Sequence, residues 1–313
     1  MKTSEFWKNF DLGEELGIAG AFIYNGLRRF HEMRALDYED EFFEVFYNLS
    51  VGLERLLKVA VVLVEYDEIS DQEEFEKSLI THSHQALLER IRKHEKPSLG
   101  TPHNDLLALL GRFYKSFRYG RFSITSSRRR SREQAALFEL LNKHLGVSLT
   151  RSDSLLITEN TDRYRKHIRK LVLKVSAELY RIVYDRASKL NLYTYELRYG
   201  SKASTIFQRD PDNDFFLLEE LTWKELLVYF MNSSAKGSGA LEYLRNIDPL
   251  EFDPAMIPDY FESFRTHTAR MSAADEVEEA YDLLEKPGER LEAMSLIGNP
   301  AVLFDDNIHE DDA

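Results

Sequence analysis

Between residues 112 and 132 the chain carries Arg112, Lys115, Arg118, Arg121, Arg128, Arg129, Arg130 and Arg132, with no acid among them. Phe113, Tyr114, Phe117, Tyr119 and Phe122 are interleaved with these cations. Side chains of these two types do complementary work on a polynucleotide. Arginine and lysine supply a salt-dependent attraction to phosphates, and aromatic faces stack on unpaired bases. The competing use of the same residues is structural: aromatics in a core, arginines in solvent or paired with acids elsewhere.

Other candidate groups are sparser. Thr81-His82-Ser83-His84 places two imidazoles near a helix start, where His84 could act as an acid or base, or simply hydrogen-bond the turn. His82 and His84 stand two apart with no acid placed to complete a metal shell, so no metal site is expected. Glu54 and Lys58 are spaced i,i+4, which fits an ordinary helix-surface ion pair. Asp162 to Lys170 is a second basic turn, read first as a solvated helix face. Ala235-Lys236-Gly237-Ser238-Gly239 has no preceding strand and lacks the rest of a phosphate loop. No Gly-x-Ser-x-Gly elbow occurs, which argues against a serine hydrolase. With no cysteine in the chain, thiol nucleophiles, disulfides and Cys-ligated metals are excluded.

Three landmarks, spread over about residues 42–122, carry a family resemblance. They are Gly52-Leu53-Glu54-Arg55-Leu56-Leu57-Lys58, then Ser83-His84-Gln85-Ala86-Leu87-Leu88, then Phe117-Arg118-Tyr119-Gly120-Arg121. Their order resembles the HEPN family, small helical domains found in prokaryotic RNases, toxins and defence proteins. The resemblance implies a helical bundle, a homodimer, and work on RNA without a cofactor. It implies that His84 serves as the acid/base group, that Arg118 and Arg121 hold phosphate, and that Tyr119 stacks. Catalytic members carry an Arg, four to six residues, then a His. None of the nine histidines here has an Arg at those distances upstream. Arg90 to His94 and Arg163 to His167 come nearest, each with three residues between, so catalysis stays open.

Helices must position these groups. Leu12, Leu16, Ala19, Ile23 and Leu27 recur at helical spacing within 11–36, with Gly13, Gly17 and Gly20 read as points of close packing. A long helix is expected over 38–66, with a break near Asn48 to Gly52, then an acidic linker over 67–77. Further helices are expected over 83–95, 103–118 and 132–145, the last closed by Gly146. Ile168, Leu171, Val172, Val175, Leu179, Ile182 and Val183 mark another over 163–191. A short strand is expected within 193–207. Helices resume near 215–232, 239–247, 259–270, 273–285 and 288–297.

Net charge is −13, distributed unevenly: residues 1–205 hold 33 Lys and Arg against 29 Asp and Glu, residues 206–313 hold 8 against 25. The acid is therefore concentrated in the C-terminal third, which suits docking onto a basic partner or covering the arginines. The strongest apolar run, Val59 to Val64, is far short of the ~20 residues a spanning helix needs. A cytoplasmic protein without membrane contact is expected. The sequence thus predicts an all-α protein with a HEPN-like bundle over 1–125, a basic hinge and long helix over 126–205, and an acidic helical region over 206–313 that ends in a disordered tail. Its expected work is binding RNA, with cleavage left open, and Arg112, Lys115, Tyr119, Arg128, Arg129 and Arg130 are the expected RNA contacts. The alternative is a non-catalytic interaction subunit of a multiprotein complex.

Overall fold

The computed structural model describes residues 6–66, 71–117, 132–150, 157–192, 197–198, 200–209, 214–232, 239–265, 270–299 and 301–304. The fold is all-α: thirteen α-helices and no strand among the described residues. The chain divides into two units, Met1–Asp214 and Phe215–Ala313.

The first unit is built on a helical hairpin. A π-helical turn, Trp7–Asp11, leads into α1, Leu12–Glu32, which packs along α2, Glu39–Glu65. The expected break in α2 does not occur, and α2 runs unbroken through Gly52. A Cβ on Gly52 would lie 2.9 Å from both the Ala19 carbonyl oxygen and the Ile23 nitrogen, so the missing side chain is what lets the two backbones touch. Gly20 does the same for α8, Lys202–Phe207, where an added Cβ would stand 2.5 Å from Ala203. The packing role read for the α1 glycines thus holds at Gly20, whereas Gly17 meets nothing within 4 Å.

From α2 the chain continues through α3, Gln72–Ser78, α4, His84–Arg92, and α5, Thr101–Arg112, which widens into a π-helical turn over Phe113–Phe117. The stretch expected as linker thus contains a helix. Asp71 caps it by accepting from the Glu74 amide at 3.0 Å, and Lys77 pairs with Glu73. Next come α6, Arg132–Leu145, and α7, Asp162–Lys189. Gly146 ends α6 at φ +65°, as the sequence predicts. The long α7 packs on α1, α2, α5 and α8. It therefore lies in the same unit as the N-terminal helices, and the boundary falls after Asp214. Within the segment expected to hold a strand, Lys202–Phe207 is helical; residues 193–196 and 199 lie outside the described residues.

Leu53, Leu56, Leu57 and Ala60 of α2 meet a core that includes Leu87, Ile91, Leu107, Leu110, Val172, Val175 and Leu179, all fully buried. At roughly 1.5–3 kcal/mol for each large side chain, this core is what holds α4, α5 and α7 against α2.

The second unit contains α9, Phe215–Asn232, α10, Gly239–Arg245, α11, Ile257–Arg265, α12, Arg270–Asp282, and α13, Pro287–Leu296. Among its described residues only Phe215, Phe216 and Leu241 are buried. Trp223 stacks on Phe264 with ring centroids 5.9 Å apart, and Tyr260 donates a hydrogen bond to Glu276. No helix among the described residues is long and apolar enough to cross a membrane.

Candidate nucleic-acid interface

The end of α5 determines what the first unit displays beside α2. Leu106, Leu107, Leu109, Leu110 and Phe113 are buried, so the residues on the other side of the helix point outward. Arg112 and Lys115 are exposed, and Tyr114 is half-buried on the π-helical turn. Turns of this kind occur often at functional sites, because the extra residue re-aims the side chains that follow.

Tyr114 belongs to a row of rings. Phe43 stacks on Tyr47 at 6.1 Å and 8°, Tyr47 stacks on Tyr114 at 6.3 Å and 29°, and Tyr114 meets the imidazole of His82 at 4.7 Å. Phe43, Tyr47 and Tyr114 are half-buried, and the His82 side chain is 46% exposed. The acid beside the row is already engaged. Glu54 takes Lys58 at 2.7 Å and His82 at 3.1 Å, and its side chain is only 9% exposed. The Glu54–Lys58 pair is thus part of a three-membered network reaching into the protein, where the sequence suggested a plain surface pair. Arg112 has a loose contact with Glu139 at 4.0 Å, both groups well exposed. Such a pair contributes about 0–1 kcal/mol and leaves the guanidinium available to a phosphate.

His84 sits behind this surface and is fully buried. Its Nε2–H donates to the Ser50 carbonyl at 2.9 Å, while the Ser50 hydroxyl donates to the Leu110 carbonyl at 3.2 Å. Burial, outweighing the hydrogen bond to Ser50, holds His84 below the ordinary imidazole pKa, so the ring is neutral at pH 7. An imidazole sealed in this way does not reach a ribose hydroxyl. The acid/base role expected of His84 therefore has no geometric support: the ring ties α4 to α2, and the accessible imidazole is its neighbour His82. Of the remaining expected residues, Arg118, Tyr119, Arg121, Arg128, Arg129 and Arg130 lie outside the described residues.

The two near-matches to the Arg–His spacing are engaged elsewhere. Arg90 forms a fork on Glu65, at 3.0 Å from Nε, and donates to the Ser78 carbonyl. Arg163 donates to the Leu145 carbonyl at 2.7 Å, closing the end of α6.

A second group of side chains was not legible as a group. His103 and Asp105 on α5, Lys143 and His144 on α6, and Arg163, His167, Lys174 and Glu178 on α7 converge on one edge of the bundle. Asp105 accepts from Lys143 at 2.7 Å and from His144 Nε2 at 2.8 Å. The rings of His144 and His167 are 6.4 Å apart. Burial raises the Glu178 pKa, but Lys174, the Ser98 amide and Arg181 together outweigh it and hold the carboxyl at about 2. No group of three or more His, Asp or Glu among the described residues could hold a metal ion. The only sequence signal was the Arg163-to-His167 pair; the other members stand too far apart in the chain to be associated before it folds.

No family model matches this chain, and no curated protein or solved structure is significantly similar to it.

Proposed function

We propose that this is an RNA-directed protein of the HEPN-like toxin or antiviral-defence type, and that it binds unpaired RNA on the surface formed by α2, the start of α4 and the end of α5. The observation that carries the reading is the ring row Phe43–Tyr47–Tyr114–His82 with exposed Arg112 and Lys115 beside it. The chain runs on from this surface into the arginines between 118 and 132. Stacking tolerates any base, and the cations track the backbone, so the expected binding is strong in low salt and weakly sequence-selective. Catalysis through His84 is not part of this reading. The test is fluorescence anisotropy on a labelled single-stranded RNA across a salt series. Arg112→Ala with Lys115→Ala should reduce the slope of log K against log salt by about 0.7 for each phosphate that is no longer neutralised. An unchanged slope would return these two residues to a purely structural role.

A second reading rests on α9. Leu218, Val228, Tyr229 and Met231 are each more than half exposed, Met231 at 74%, and Phe261 and Phe264 of α11 are also exposed. A helix apolar on most sides is ordinarily covered. Residues 215–313 hold 7 Lys and Arg against 22 Asp and Glu, a net −15, so two copies of this unit would repel each other. The occupant that fits is a basic amphipathic helix of a partner protein, which would make the chain an interaction subunit. A synthetic Lys/Leu amphipathic peptide should bind the wild type and lose most of its affinity for Val228→Glu with Met231→Glu. Equal binding to both proteins would reject this surface.

A further inference from the structure

Three histidines from three helices meet at this edge, and of the three His144 alone hydrogen-bonds a carboxylate, that of Asp105. His103 lies near the start of α5, His144 at the end of α6, and His167 in the first turns of α7. The two acids at this edge are committed. Asp105 is held by Lys143 and His144, and Glu178 accepts from Lys174, from Arg181 and from the Ser98 amide at 3.0 Å. The other charged groups at these imidazoles are cations, Lys174 beside His103 and Arg163 beside His167, and the three rings stand close enough to repel one another when protonated. The Nε2 of His167 is buried with no hydrogen-bond partner.

This is a cluster deficient in negative charge. Its cations remain reachable: the Lys143 and Lys174 side chains are half-exposed, Arg163 is exposed, and the rings of His103 and His167 are half-buried. His103 Nδ1 accepts from the Gly100 amide at 3.2 Å, so the proton of its neutral form is on Nε2. Asp105 fixes the Nε2–H of His144 in the same manner. The Nε2–H of His103 and the orphaned Nε2 of His167 thus lie among cations, Lys143, Lys174 and Arg163, that outnumber the two acids, Asp105 and Glu178, and an oxyanion with several acceptor oxygens is the ligand class that adds the missing acceptors and charge.

We propose that the edge formed by His103, His144 and His167, with Lys143, Arg163 and Lys174, is a binding site for a phosphate dianion, carried free or as the terminal phosphate of a nucleic-acid chain. The site is separate from the ring row: Arg112 and Asp105 stand two helical turns apart on α5. Binding is coupled to protons. Burial first, and then the neighbouring cations, keep His103 and His167 below the ordinary imidazole pKa of 6.5. A dianion supplies the missing counter-charge and draws protons onto these rings, so affinity rises as pH falls.

The experiment is isothermal titration of the full chain with inorganic phosphate at about pH 6 and pH 8, with imidazole signals followed by NMR. The expected result is an affinity, expressed per phosphate dianion present at each pH, about tenfold higher at the lower pH, the effect of one pKa unit of linkage, with the signals of all three rings moving. His167→Gln should reduce the pH dependence to the part that His103 carries. Lys143→Ala changes an exposed side chain and frees the Asp105 charge toward the site, so it should weaken phosphate binding even if the histidine variant folds poorly. A short RNA carrying a 5′-phosphate, compared with its 5′-hydroxyl form, identifies the source: preference for the former assigns a chain end, and equal binding assigns the free ion. Absence of phosphate binding at the lower pH, or binding unchanged in Lys143→Ala, overturns the proposal. Because the first probe is inorganic phosphate, the result does not depend on whether the ring row binds RNA.

Discussion

Replacing Tyr47 and Tyr114 together by leucine is expected to lower affinity for single-stranded RNA by about ten- to a hundredfold, with little change in salt dependence. Base–aromatic stacking contributes about 1–3 kcal/mol per base, and these two rings form the centre of the row. Leucine fills most of the half-buried volume but has no π face, so packing against α2 is largely kept while stacking is removed. Salt slope reports the phosphates that cations neutralise, and neither tyrosine neutralises one. The two variant sets therefore separate the two parts of the surface: the tyrosines should change the intercept, Arg112 and Lys115 the slope. Circular dichroism and melting curves of the leucine variant would show that the loss is in binding. An affinity equal to wild type would make the row a packing feature of α2 and α5.

Replacing His84 by alanine is expected to cost about 2–4 kcal/mol of stability and to leave the RNA affinity of the folded protein unchanged. The imidazole fills a closed space between α2, α4 and α5, and its loss removes both that volume and the bond to the Ser50 carbonyl. His84→Gln keeps a donor and should recover part of the cost. The pH dependence has a definite sign. His84, His103 and His167 all bind protons less readily in the folded chain than at the ordinary 6.5, so their contribution is complete above that value and is lost as pH falls through the lower folded values. Glu178, held at about 2 against 4.5 when unfolded, adds a second loss between those values. Melting temperature should therefore drop as pH is lowered below about 6.5, and His84→Gln should flatten part of that drop. A His84→Ala protein of wild-type stability with altered RNA processing would instead restore a chemical role to this residue.

Much of the fold was readable because helical periodicity is strong in α1, α2 and α7. The errors have local causes. Asn48 to Gly52 looks like a break because glycine and serine weaken isolated helices, but here Gly52 admits α1 and the Ser50 hydroxyl reaches across to Leu110. Gln72–Ser78 has one large apolar residue, Phe75, and folds because that ring packs on Tyr66 and under Arg90, neighbours invisible to a local pattern. The burial of His84 was in fact written in the sequence: His84, Leu87, Leu88 and Ile91 are one i, i+3, i+4, i+7 stripe, and all four are buried. Reading the histidine as chemistry hid its membership of the stripe. The ring row could not be anticipated, since Tyr47 and Tyr114 become neighbours only when α5 docks on α2.

The measurement that tests the central claim most directly is a salt titration of the unmodified chain against single-stranded RNA and the same sequence as a duplex. The account predicts binding at low salt, a linear fall of log affinity with log salt, and a clear preference for the single strand, whose bases are free to stack on Tyr47, Tyr114 and His82. No binding at low salt, or equal affinity for strand and duplex, would contradict it.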